Sequence, residues 1–298
     1  MTPPTPPSGA DPTSTSTSTS TSSQARPPTP STPTAESVRA DLVAEQESLD
    51  GIVSSLDDEQ WATPTASERW TVADQIAHLT FFDRTAAWAI TDEERFRRSL
   101  TDLMSALTGE ASPEEMDDST LGEYRAMTPA QLLDAWRTNR AELAEAAATL
   151  DDDDRVIWYG PSMGARSFLT ARLMECWAHG QHVVDAVGAD REPTDRLRHI
   201  AQLGFITRGW TYANRGLEVP AVPVRVELAA PSGGTWTFGP DDAADSVTGT
   251  ALDFCLVVTQ CRHVDATDLE VSGSAAREWM SMAQAFAGAA TDGPAATT

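Results

Sequence analysis

The chain has no lysine: all 21 of its basic residues are arginine, set against 45 acidic ones, for a net charge of −24. Nucleic-acid binding draws most of its affinity from a basic face laid on phosphates. No arginine cluster of that kind is present, so DNA and RNA are not expected partners, and the same charge opposes anionic membranes. Cysteine is scarce too. Cys176, Cys255 and Cys261 are too few for a disulfide scaffold and match no zinc-ribbon spacing. A reducing cytoplasm is the expected location. No apolar run approaches the roughly 20 residues of a membrane span. Residues 1–33 are nearly all Thr, Ser, Pro and Ala and hold almost no large apolar side chain, so they are expected to be disordered. They lack the basic start and apolar core of a secretory signal. Residues 289–298 are similarly poor in apolar groups.

About 255 residues remain, enough for one large domain or two modest ones. A helix is expected over about 34–56, on the stripe Val38, Leu42, Leu49, Ile52, Val53 and Leu56. Trp61–Trp70 reads as a loop. Thr71-Val72-Ala73-Asp74 opens a second helix as an approximate capping box, and Thr91-Asp92-Glu93-Glu94 opens another. The acidic stretch 109–121 reads as a loop. Thr128-Pro129 starts a helix with Pro at its first position. Asp151–Asp154 ends it, and Tyr159-Gly160-Pro161 continues the turn. A helix follows over about Ala165–Val187, closed by Gly188, then one from Thr194 to about Tyr212. After Gly216 the period changes. Val222, Val224, Val226 and Leu228 alternate as a strand does, as do Trp236 and Phe238 beyond the Ser232-Gly233-Gly234 turn. Thr250–Gln260 reads as helix, Leu269–Val271 as a short strand and Ala275–Phe286 as a last helix. The expected class is α+β: a helical lobe (34–215), then a smaller α+β lobe (216–288).

Within the helical lobe three residues stand out as metal-ligand candidates: His78, Glu175 and His179. Glu175 and His179, four apart, project from one helical face about 40° from each other, and His182 shares that face. His78 sits mid-helix in an apolar stripe that should face the bundle interior, where helix bundles build metal sites. Two imidazoles and a carboxylate suit zinc or another divalent first-row metal and leave a coordination position open. The spacing is equally compatible with a surface Glu–His pair and a satisfied core histidine.

The segment Trp70-Thr71-Val72-Ala73-Asp74-Gln75-Ile76-Ala77-His78-Leu79 resembles the second-helix signature of the DinB-like metal-binding four-helix bundles, in the mycothiol-dependent maleylpyruvate isomerase branch. Glu175-Cys176-Trp177-Ala178-His179 resembles that branch's Glu-x3-His. The resemblance implies a divalent metal, usually zinc, on His78, Glu175 and His179. It also implies a four-helix bundle followed by a sterol-carrier-like lobe. Three further segments resemble hallmarks of an uncharacterised actinobacterial subgroup: Trp158–Pro161, Arg208-Gly209-Trp210-Thr211-Tyr212-Ala213-Asn214-Arg215, and Leu252–Gln260. Part of the C-terminal segment loosely resembles a domain associated with wyosine formation in tRNA. The acidic charge and the lack of a Cys-x3-Cys-x2-Cys motif argue against that role.

The resemblance further implies an enzyme using a small thiol, mycothiol, on a small electrophilic substrate, as isomerase or transferase. Metal-assisted hydrolysis would need a second carboxylate beside the open position. A non-catalytic metal-binding or ligand-carrying protein is the reading from another class. His182 is a candidate alternative ligand or supporting group, with Asp185 to orient it; Asp74 is placed to orient His78. Trp70, Trp88, Trp136, Trp177 and Trp210 are expected in the core. Arg84, Arg172, Arg208, Arg215 and Arg262 are candidates to hold an anionic substrate group. His199 and His263 are expected in surface roles. Oligomeric state is not legible.

Overall fold

The computed structural model describes residues 33–107 and 112–295. The expected disorder of 1–32, and the end of the tail at 296–298, lie outside the described residues. Residues 33 onward pack as one unit. Four long helices form a bundle: α1 (Ala35–Val53), α3 (Val72–Thr91), α6 (Pro129–Ala147) and α7 (Ala165–Val187). Short α2 (Asp58–Trp61) precedes α3, while α4 (Glu93–Leu107) and α5 (Pro113–Arg125) form an excursion between α3 and α6. The caps follow from local chemistry. Thr34, Thr71 and Thr128 each accept from the backbone N–H three residues on, and Gly188 takes φ 65 to close α7. Leu42, Leu49, Ile76, Leu79, Trp136, Leu143, Leu169 and Leu173 fill the core between the bundle helices.

One buried polar node ties all four bundle helices together. Asp83 of α3 accepts from Gln46 Nε2 of α1 at 3.0 Å and from Trp136 Nε1 of α6 at 3.3 Å, and faces Arg172 Nη2 of α7 at 3.5 Å. Burial pushes the Asp83 carboxyl up, against the opposing pull of Arg172.

The sequence reading of 109–121 as a loop is corrected by α5. Ser112 and Glu115 make a reciprocal capping box with Pro113 at the first helical position, and Leu121 and Tyr124 are buried. The expected helix over 194–212 is instead two, α8 (Leu197–Ile206) and α9 (Arg208–Ala213), broken at Thr207, whose hydroxyl bonds back to Leu203 O and Gly204 O. The turn around Tyr159–Pro161 is the tip of a two-residue hairpin, β1 (Arg155–Val156) with β2 (Met163–Gly164).

The C-terminal part carries a four-stranded sheet with spatial order β4-β3-β5-β6: β3 is Val224–Ala229, β4 Thr235–Phe238, β5 Asp245–Thr250 and β6 Glu270–Ser272. β3 pairs antiparallel with β4 and parallel with β5, Val226 opposite Val247; β6 pairs antiparallel with β5. Two helices pack with it, α10 (Ala251–Val258) and α11 (Ser274–Met282). β5 was not anticipated, because Val247 is its one large apolar residue. Gly204 of α8 allows α10 to approach closely: a Cβ there would lie 2.7 Å from Val258 Cγ2. The helix expected over Ala275–Phe286 ends instead at Met282, and residues 283–295 form no helix or strand. Among the described residues no helix is long and apolar enough to cross a membrane.

Candidate metal centre

α3 and α7 lie side by side, and this brings His78, Glu175 and His179 together with one potential ligand atom from each within 4.8 Å of the others. His78 Nε2 is 3.6 Å and His179 Nε2 3.1 Å from Glu175 Oε2. Zinc bonds of about 2.0–2.2 Å to nitrogen and oxygen place tetrahedral ligands about 3.3–3.5 Å apart, so the set can close on a divalent ion with little movement. The three side chains are only 16–23 % exposed. Trp70 stacks on the His179 ring, centroids 5.9 Å apart and planes 24° apart.

Gln75, one turn before His78 on α3, sets the tautomer of His179. The Thr65 hydroxyl donates to Trp70 O at 2.9 Å, so it accepts from Gln75 Nε2 at 2.8 Å, and Ser67 Oγ lies 2.9 Å from the same amide nitrogen. Gln75 Oε1 therefore faces His179 Nδ1, at 2.6 Å, and can only accept from it. His179 Nε2 is left with a lone pair aimed at Glu175. Burial pushes the His179 imidazole down to about 4 and lowers His78 as well, so both rings are neutral near pH 7. Burial also pushes the Glu175 carboxyl up, but a proton shared with either facing imidazole outweighs that and holds it well below the usual carboxylate range. A neutral nitrogen acceptor and an ionised carboxylate thus meet at 3.1 Å. A cation placed between its members, a proton or a metal ion, would relieve the repulsion of the two facing acceptors. The sequence signal for Gln75 was its i−3 spacing from His78.

The three residues stand at the wall of a cavity of ≈530 Å³, which Arg172 and His182 also line. Of the five arginine candidates only Arg172 reaches it. Arg84 pairs with Glu123, Arg262 with Asp185, Arg208 donates to Pro220 O, and Arg215 to Thr211 O and Thr291 O. Arg172 is 3 % exposed, and its Nε has no hydrogen-bond partner. His182 Nδ1 is likewise buried without a partner, because the Asp185 expected to orient it is held by Arg262 at 2.6 and 2.7 Å. Asp74 does not orient His78: it accepts from Thr71 and from Arg125 Nε at 2.7 Å. Cys176 is buried, and burial raises its thiol well above the ordinary value. Trp210, expected in the core, is 42 % exposed. His199 pairs with Asp41 at 2.7 Å, and His263 accepts from Asp265 N.

Residues 42–183 match the mycothiol maleylpyruvate isomerase N-terminal domain family, and residues 220–270 match the wyosine base formation family. Two uncharacterised proteins of Mycobacterium tuberculosis, from strains CDC 1551 / Oshkosh and ATCC 25618 / H37Rv, are each 46% identical over 249 residues, spanning 84% of this chain and 95% of theirs. Crystal structures of the mycothiol-dependent maleylpyruvate isomerase and of its histidine-to-alanine mutant are 19% identical, with TM-scores of 0.49 and 0.48. They cover 80% and 81% of this chain and 92% and 93% of theirs. Residues 42–183 thus carry a mycothiol maleylpyruvate isomerase N-terminal domain, and the chain as a whole belongs to the family of these mycobacterial proteins.

Proposed function

We propose that His78, Glu175 and His179 hold a divalent metal ion, zinc by preference, and that the protein is a mycothiol-dependent isomerase or thiol transferase acting on a small electrophile in the cytoplasm. The observation that carries the metal reading is the pair of facing acceptors, His179 Nε2 and Glu175 Oε2, at 3.1 Å. The N-terminal domain match supports the thiol. When bound, such an ion favours the deprotonated form of a thiol at its open position. The chain's own residues do the rest. Gln75 holds the His179 tautomer. Trp70 and Phe82 pack on the ring faces and exclude water from one side. Arg172, buried at the cavity wall, can accept an anionic group of the substrate in its incompletely satisfied guanidinium fork. Among the residues lining the cavity Glu175 is the one carboxylate, so no second acid stands ready to activate water, which disfavours hydrolysis.

Isothermal titration of the zinc-loaded protein with mycothiol tests the thiol half. Saturable binding at or below millimolar thiol is expected. Absence of heat at millimolar mycothiol would refute it.

A further inference from the structure

The segments Arg208–Arg215 and Leu252–Gln260 take no part in the metal centre, yet both converge on residues 283–291. Trp210 Nε1 donates to Phe286 O at 3.2 Å, Asn214 Nδ2 to Gly288 O at 3.0 Å, and Arg215 to Thr291 O. Thr211 Oγ1 exchanges hydrogen bonds with the Gln284 backbone. Gln260 Nε2 bridges Ala283 O at 3.1 Å and Thr291 O at 2.7 Å, and the Ala285 N–H reaches Val258 O at 2.8 Å. Gln260 makes this bridge from φ 58, a left-handed conformation that favours glycine or asparagine. The amide that fastens the segment is thus presented from a backbone conformation uncommon for its residue type.

The fastened segment walls the metal cavity. Phe286 lines it together with Phe82, Leu103, Trp158 and Met174, so most of the wall away from the metal ligands is apolar or aromatic. We propose that residues 283–291 are a strap whose Phe286 completes an apolar subsite beside the metal centre, with Trp210, Asn214 and Gln260 as its positioning residues. The substrate class that fits is an electrophile bearing a ring or short alkyl group, its reactive end toward His78, Glu175 and His179. The reaction assigned to that end rests on the proposed function; the subsite itself does not. It requires only that the cavity take an apolar ligand against Phe286.

The test uses the full chain, metal-free and zinc-loaded, titrated with the neutral fluorescent probe N-phenyl-1-naphthylamine. Saturable one-to-one binding is expected in both forms. Phe286→Ala should weaken it about tenfold, the loss that removing one well-packed aromatic contact brings. Asn214→Ala should weaken it severalfold. Gln260→Gly suits the backbone conformation and removes the bridge together with the side chain's contact at Gly293. It should weaken probe binding severalfold while leaving the chain's melting temperature within a few degrees, a split that a merely structural role would not give. Should Phe286→Ala fold poorly, Asn214→Ala and Gln260→Gly read the same strap. His179→Ala should lose zinc and keep the probe, so a failed metal site leaves the subsite standing. Absence of saturable binding to the unmodified chain, or wild-type affinity in a folded Phe286→Ala, would overturn the proposal.

Discussion

Gln75 determines what His179 can do. With its amide nitrogen engaged by Thr65 and Ser67, its oxygen holds the Nδ1–H and leaves Nε2 free. Gln75→Leu removes that anchor and keeps all three ligand candidates, so metal affinity should fall about 10–100-fold, measured by competition with a chromogenic chelator; unchanged affinity would show that the tautomer is not set there. The imidazole also carries a pH signature. His179 titrates near 4 in the folded chain and near 6.5 when free, so between those values the unfolded chain binds more protons. The part of the metal-free protein's stability that depends on keeping this ring neutral is then fully present above about 6.5 and is lost as pH falls towards 4. His179 alone contributes up to about 2 kcal/mol of that loss at pH 5. Guanidinium titrations at pH 7 and pH 5 measure it, and a midpoint that does not fall would contradict the burial of these rings as neutral groups. At this scale the three ligand candidates were legible, because i,i+4 spacing and a heavily patterned helix survive in sequence. The partners of Asp74 and Asp185 were not. Arg125 and Arg262, which take them, lie 51 and 77 residues away along the chain.

Register between α3 and α7 places the ligands, and the buried Asp83 node guards that register. Asp83→Ala leaves Arg172 buried without its partner and frees Gln46 and Trp136. A loss of about 3 kcal/mol or more is expected in chemical denaturation. Asp83→Leu with Arg172→Met should recover much of it. A loss below about 1 kcal/mol for the single change would show that the node contributes little. The bundle helices were readable from apolar period and caps. α5 was masked by its acidic surface, although Ser112-Pro113 and Glu115 carry a start signal. β5 escaped because a central parallel strand with Gly249 and one valine shows no alternation; the β3 ladder that defines it is a tertiary fact.

Across the whole molecule, the cavity lies where the bundle meets the C-terminal segment. Its walls come from α3, α4, the residues after β1, α7, Thr259 after α10 and the strap, so no single element holds the site. That a helical part precedes a sheet-containing part was visible in the change from helical to alternating period after Gly216, although the two pack as one unit. The strap was not: 283–286 read as the end of the last helix, 287–295 has no periodicity, and the segment is held by side-chain hydrogen bonds to backbone carbonyls. The 220–270 match to wyosine base formation sits in a chain of net charge −24. With that charge the chain should give no mobility shift with tRNA at physiological salt; a discrete salt-resistant complex would contradict a purely small-molecule role for the cavity. The central claim is the metal, and elemental analysis of purified protein tests it most directly. One equivalent of divalent metal per chain is predicted, lost in His78→Ala and in His179→Ala while both variants still melt cooperatively. Full metal content in both variants would contradict the account.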